Sequence, residues 1–240
     1  MNSNTANQIK LDERNHVEKP LLIQLHGLGW DIIDLTNEKQ TPAHTFRDSF
    51  TEVVMPNILR DQVKVINPWL EDDQVEEVTK QLTANFPGTG LIENNQYALH
   101  LLLENTSVSE NRQTGEQSPT VRFIDFAERD NNSFIAVCQF KVRILGTEHH
   151  IIPDIVLFVN GLPVVLIECK SPKVNDAIPE AIDQILRYSE QRGARGEGSA
   201  PLFYFNQFIV ATCRQEAKFG TITTHIKKHF YRWSDPYRSH

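Results

Sequence analysis

No apolar run in this 240-residue sequence approaches the ~20 residues that a membrane-spanning helix needs. The opening stretch MNSNTANQIKLDER lacks the apolar core of an export signal, so a cytoplasmic protein with no membrane partner is expected. Cysteine is scarce: Cys138, Cys169 and Cys213 stand singly, with no CxxC pair. That argues for reduced thiols, and against a disulfide framework or a cysteine zinc site. The nine histidines include no HExxH or comparable spacing. Positive charge is also short. With 24 Lys+Arg against 31 Asp+Glu, the formal charge is -7 and the pI is near 5.7. Gripping nucleic acid unaided needs clustered Lys and Arg, so any DNA chemistry must rest on a local site and on partners that deliver the DNA.

What is present is the composition of an ordinary globular chain, 40% hydrophobic and 23% charged, long enough for one full domain. Residues 1–15 are polar and read as a flexible terminus; residues 16–240 read as a single domain, helical over about 16–90, with its core over about 91–235. In EKPLLIQLHGLGW, Leu21, Leu22, Leu25 and Leu28 fall at helical spacing, closed by Gly27 and Gly29. LHGLG lacks the GxGxxG spacing and a preceding strand, so it is no phosphate loop. Thr45 reads as the N-cap of a helix carrying Phe46, Phe50, Val53 and Val54, which Pro56 should kink before Ile58, Leu59 and Val63 continue it. DDQVEEVTKQL reads as a further helix with acidic residues at its start.

Asn105 to Pro119 is polar and reads as an exposed loop. Strand texture follows in TVRFIDFA and SFIAVCQFKVRIL, with a hairpin signal at the Asn-Asn between them. IVLFV and PVVLIEC are joined by Asn160-Gly161, the strongest short hairpin signal, and are apolar enough to be covered on both faces. PEAIDQILRYSEQRG reads as an amphipathic helix, RGARGEGSAP as a loop and NQFIVAT as a buried strand. The expected fold is α/β, with a mixed central β-sheet flanked by helices and a helical N-terminal portion.

The informative residues are Pro153-Asp154 and, beyond the hairpin, Glu168-Cys169-Lys170. Two carboxylates on adjacent strands can hold a hard divalent cation such as Mg2+, which activates water and polarises a phosphoryl oxygen. Glu168 and Lys170 are two residues apart and share a strand face, with Cys169 on the other. The register raises an objection. A strict two-residue turn pairs Val159 with Leu162 and sets Asp154 opposite Ile167, which puts Asp154 and Glu168 on opposite faces. A bulge or three-residue loop shifts the pairing by one and sets Asp154 opposite Glu168, so a metal site requires a hairpin of that kind. The competing reading is an edge hairpin with a solvated Asp and an ion-paired Glu and Lys.

PD-x(13)-E-C-K resembles the PD-(D/E)xK nuclease core. The wider text TVRFIDFAERDNNSFIAVCQFKV…PDIVLFVNGLPVVLIECKSP is similar to the N-terminal nuclease domain of the restriction (motor) subunit of type I restriction enzymes. Gln184 and Tyr188 match the QxxxY element of this group, and VEKPLLIQLHGLGW, RDSFTEVVMPNILRDQVKVINPWL and NQFIVAT…KFGT extend the likeness over about residues 16 to 235. The resemblance implies a restriction-endonuclease-like core that cuts unmodified double-stranded DNA with Mg2+. It implies Asp154 and Glu168 as metal ligands with the Cys169 carbonyl as a third, Lys170 as the catalytic lysine, and Gln184 and Tyr188 reaching the same site from one helix face. It also implies modification and specificity subunits as partners. The translocase domains of the full-length subunit, with their ATP, are not expected here, because no GxxxxGK[ST] loop is present. The chain then reads as a piece of that subunit or a free-standing relative.

Glu18 reads as a surface residue of the first helical turn, with a role as an additional acid near the metal as the alternative. His149-His150 read as exposed turn residues, and Lys173, Arg192 and Arg195 as surface cations with phosphate contact as the alternative. Two other functions stand beside the main one: a free-standing repair or junction-resolving nuclease, which would need a basic groove, and a non-catalytic subunit-docking module.

Overall fold

The structure, a computed structural model, describes residues 8–9, 12–84, 86–88, 90–103, 106–194 and 196–234. A mixed sheet of seven strands forms its centre, in the order β1 (Asp31–Asp34), β2 (Phe134–Cys138), β5 (Ile155–Val159), β6 (Leu162–Cys169), β7 (Phe208–Thr212), β8 (Ala217–Gly220) and β9 (Tyr231–Arg232). β1 runs parallel to β2 and β6 parallel to β7; the remaining pairs are antiparallel. β3 (Val142–Arg143) and β4 (His150–Ile151) make a separate small ribbon. The expected mixed α/β sheet flanked by helices is what the chain forms.

Helices cover both faces, which is why the central strands carry continuous apolar runs. α1 (Lys19–Gly27) sets Leu22 and Leu25 against Ile155, Leu157, Ile167 and Cys169 on one face. α5 (Ala177–Tyr188) sets Ile178, Ile182 and Ile185 against Val156, Leu166, Ile209 and Ala211 on the other. Each of these isoleucines contributes about 1.5–3 kcal/mol by leaving water. α2 (Pro56–Ile66), α3 (Asp72–Ala84) and α4 (Leu91–Leu103) share a third apolar cluster around Leu59, Val78 and Leu101, which takes in Leu162 of the sheet and Phe205 of the turn before β7. The helical portion therefore runs on past residue 90 through α4.

Several local expectations fail for identifiable reasons. No helix begins at Thr45. Residues Pro42–Thr45 form a short 3-10 turn that Phe46 ends with φ +54°. The buried Arg47 then braces the loop through the carbonyls of Glu52 and Lys141. Pro56 starts α2 instead of kinking a longer helix, since a proline at the first position removes no helical bond. TVRFIDFA is not a strand: the Asn67 side chain takes both backbone groups of Arg122, and Val121 N–H bonds the Thr106 carbonyl. The Asn-Asn hairpin falls with it. SFIAVCQFKVRIL is split into β2 and β3 at Gln139, whose φ is +63°.

The expected flexible terminus lies partly outside the described residues, but residues 12 and 13 are helical and lead into a π-helical turn, Arg14–Glu18. The Asn105–Pro119 loop, from residue 106 on, folds onto itself and buries Thr106 and Val108.

The β5–β6 hairpin decides the geometry of the site. Asn160 and Gly161 take φ of +50° and +79°, which suits a two-residue turn. From that turn Val159 pairs with Leu162 and Phe158 with Pro163. Beyond it the ladder shifts, so that Leu157 pairs with Val165 and Ile155 with Ile167. Val164 is the extra residue of a β-bulge, and continuing the shifted ladder sets Asp154 opposite Glu168. Gly161 is required by contact as well: a Cβ there would lie 2.6 Å from the Met55 carbonyl.

Candidate active site

Asp154 and Glu168 are both buried and meet at the ends of β5 and β6. Asp154 is held from three directions. Its Oδ2 accepts the Cys169 N–H at 2.7 Å, its Oδ1 accepts from Gln139 Nε2 at 3.1 Å, and its carbonyl accepts the Gln139 N–H at 2.8 Å. The register sets Glu168 opposite Asp154, whose charge acts on it. Its Oε1 takes the Lys170 ammonium at 2.9 Å, while its Oε2 is buried with no hydrogen-bond partner among the described residues. The edge-hairpin alternative required a solvated Asp154; this one is enclosed.

Electrostatics follow from that packing. Burial first, and the neighbouring Asp154 second, push Glu168 well above the ordinary carboxylate range, with Lys170 offsetting part. Burial works against the Lys170 ammonium, but Glu168, Asp154 and Glu13 outweigh it and hold the amine protonated. Its Nζ also reaches the Cys169 carbonyl at 3.1 Å. The Cys169 thiol is buried among the residues under α1, facing away from Glu168 as the alternation requires.

Gln184 and Tyr188, on one face of α5, are bonded to each other at 2.6 Å. The Tyr188 hydroxyl donates at 3.3 Å to the Ile152 carbonyl, two residues before Asp154. Burial, then the charge of Glu168, push the Tyr188 phenol up, so it stays a hydroxyl donor.

Glu18 is not a surface residue. It is buried, its Oε2 takes Arg14 at 2.9 Å, and it comes with Glu13 and Asp154 into one cluster whose ligand oxygens all lie within 4.8 Å of one another. Burial, then Asp154, raise Glu18, and the Arg14 bond opposes them. Sequence reasoning missed Glu13, which burial above all raises from 4.5 to about 7. It also missed Gln139, whose positive φ turns it onto Asp154; nothing in the sequence marks that turn.

The surface candidates are otherwise engaged. Lys173 pairs with Asp12 at 2.5 Å, and Arg192 with Asp183 at 2.6 Å and Glu197 at 3.4 Å. Arg195 lies outside the described residues. His149 is exposed, and His150 is half-buried with its ring edge-on to Phe50.

Glu13, Glu18 and Asp154 offer clustered carboxylate oxygens, and Glu168 has an oxygen buried without a hydrogen-bond partner among the described residues; hard oxygens are the donors that a divalent cation such as Mg2+ takes. A mixed sheet carrying a carboxylate pair and an adjacent lysine at the end of a bulged hairpin is consistent with a restriction-endonuclease-like fold. The chain belongs to the family of the type I restriction enzyme R protein N terminus, whose model matches residues 10–228. It is 33% identical over 91% of its length to the type I restriction enzyme HindI endonuclease subunit of Haemophilus influenzae, covering 20% of that protein. It is 26% identical over 93% of its length to each of two proteins of Methanocaldococcus jannaschii assigned as MjaIXP and MjaVIIIP endonuclease subunits, again covering 20% of each. The chain thus spans about a fifth of the length of these relatives. No helix among the described residues is long and apolar enough to cross a membrane.

Proposed function

We propose that this chain is the Mg2+-dependent endonuclease domain of a type I restriction enzyme R subunit and hydrolyses phosphodiester bonds of unmodified double-stranded DNA. The observation that carries the reading is the carboxylate pair Asp154–Glu168 with the Lys170 ammonium 2.9 Å from Glu168. In this reading Asp154 and Glu168 hold the ion, and the Cys169 carbonyl adjoins them as a third oxygen. A bound Mg2+ would supply Lewis-acid polarisation and a water of lowered pKa.

The residues of the chain do the rest. Gln139 and the Cys169 N–H aim the Asp154 carboxylate. Lys170, kept as an ammonium, donates to the attacking water or to a phosphate oxygen where negative charge develops. Tyr188 and Gln184 steady the Ile152 backbone that leads into Asp154. Glu18 adds a further acid beside the ion. The acidic surface fits delivery of DNA by modification and specificity subunits and by translocase domains of the full-length subunit, where ATP would be used. The protein would work in the cytoplasm.

Metal-linked stability tests this reading. At free Mg2+ a hundredfold above Kd, the wild type should gain about 2.7 kcal/mol of stability. Asp154→Asn and Glu168→Gln should lose that gain. An equal gain in both variants would remove Asp154 and Glu168 as ligands.

A further inference from the structure

The row of the sheet that holds Glu168 runs on to two cations. Glu168 pairs with Ala211 on β7, Ala211 with Lys218 on β8, and Lys218 with Arg232 on β9. Partners in one row share a sheet face, so Glu168, Lys218 and Arg232 project to the same side. Neighbouring strands lie about 4.7–4.9 Å apart, which sets the backbones of the two cations about 10 and 14 Å from that of Glu168. Ala211 is buried and ends at its methyl group, so no long side chain of the row stands between the acid and Lys218.

The charge along this edge runs against that of the chain. Between Ala217 and Ser234 lie Lys218, Lys227, Lys228 and Arg232 and no Asp or Glu, in a sequence whose formal charge is -7. Lys227 is tied to Asp183 of α5 at 3.3 Å. Lys218 meets Glu216 only at 3.9 Å, with both side chains about a third exposed, and such a pair holds its partners weakly. Arg232 is exposed and has no ion-pair partner among the described residues. The other face of these two strands is aromatic: Phe219 packs on Tyr231 and Trp233, with ring centroids 6.0 and 5.3 Å away. That stack holds β9 on the sheet without drawing on Arg232.

We propose that Lys218 and Arg232 form a phosphate track, which holds the backbone of the DNA strand flanking the bond to be cut. This rests on the nuclease reading and extends it from the reacting atoms to the path of the substrate. A strand of duplex DNA advances about 3.4 Å per phosphate, so the two cations meet phosphates about three and four nucleotides from the one at Glu168. Contacts of this kind fix position and register and carry no sequence information. Two of them add little affinity, in keeping with an acidic chain.

Salt titration of the full chain against a fluorescent DNA duplex, read by anisotropy in Mg2+ and in EDTA, tests this without any cleavage assay. The slope of log K against log salt should become shallower by about 0.9 in each of Lys218→Gln and Arg232→Gln, and by about 1.8 in the double variant. Lys80→Gln removes the same charge from an exposed position on α3, a helix that packs toward Leu162 at the far end of β6, and should leave the slope unchanged. All four variants should melt as the wild type does and be stabilised equally by Mg2+, since none of these side chains meets Asp154 or Glu168. An unchanged slope in the double variant, or an equal fall in Lys80→Gln, would overturn the track, as would a wild type that binds no duplex. The nuclease reading is judged apart from this: it stands where Mg2+ stabilises the wild type and not Asp154→Asn, and falls where that difference is missing.

Discussion

Lys170→Ala separates a catalytic lysine from a structural one, and its cost can be bounded from the geometry. The substitution removes the ammonium 2.9 Å from a fully buried carboxylate whose second oxygen has no hydrogen-bond partner among the described residues. Breaking a buried ion pair outright costs about 3–5 kcal/mol. Glu168 has an escape, however: it can take a proton. Holding that proton at pH 7 against an unfolded-state value of 4.5 costs about 3.4 kcal/mol, at about 1.36 kcal/mol per pH unit. That sets a ceiling.

The sign follows from the raised pKa of Glu168. A carboxylate raised in the folded state has its stability intact below its unfolded value and loses it as pH climbs. Lys170→Ala should therefore melt near the wild type at pH 4.5–5. At pH 7 it should fall below it by at most about 3 kcal/mol, roughly 6–12 °C for a chain of this size. Calorimetric melts in EDTA across that range test it. A loss as large at pH 5 as at pH 7, or no cooperative melt at either, would mean that Lys170 serves packing and would refute the reasoning.

Three further outcomes are expected. Asn160→Ala removes a buried side chain that accepts from Ser133 N–H at 2.7 Å and donates at 2.8 Å to both Phe123 O and Asn132 Oδ1. Urea unfolding should show a loss of about 2–4 kcal/mol, and a loss below 1 kcal/mol would contradict the role of this turn. Glu13, raised from 4.5 to about 7, should make the metal-free protein lose stability as pH rises through that window; after solvent screening the effect is on the order of 1 kcal/mol. Saturating Mg2+ should flatten the profile, and identical profiles for wild type and Glu13→Gln in EDTA would refute the assignment. Duplex DNA should bind this chain only weakly, near ~10⁻⁴ M, and better with Mg2+ than without. Tight metal-independent binding with a steep salt slope, read by fluorescence anisotropy, would reveal a basic groove and favour a free-standing repair nuclease.

The site was legible in the sequence further than the fold around it. Chemistry marked Asp154, Glu168 and Lys170, and alternation alone said that a plain hairpin could not bring the acids together. The bulge that reconciles them sits at Val164, and one valine in PVVLIEC gives no sign of being the extra residue. Glu13 escaped because residues 1–15 read as a flexible polar terminus, whereas residues 12 and 13 are helical and lead into the π turn over Arg14–Glu18. TVRFIDFA has strand composition, but Asn67, far away in sequence, claims its backbone. Pro56 sits within an apolar stripe that looks continuous, and only the positive φ of Phe46 and the bracing by Arg47 separate the two halves. At Arg122 and Arg47 long-range partners overrode local pattern.

The central claim is that Asp154, Glu168 and Lys170 perform Mg2+-dependent phosphodiester hydrolysis. The most direct measurement is DNA cleavage by the full-length subunit carrying this domain, assembled with its modification and specificity partners, wild type against Lys170→Ala in Mg2+ and in EDTA. Cleavage by the wild type in Mg2+ alone, abolished in a Lys170→Ala enzyme that still translocates with ATP, is the predicted result. Undiminished cleavage by Lys170→Ala, or by the wild type in EDTA, would contradict it.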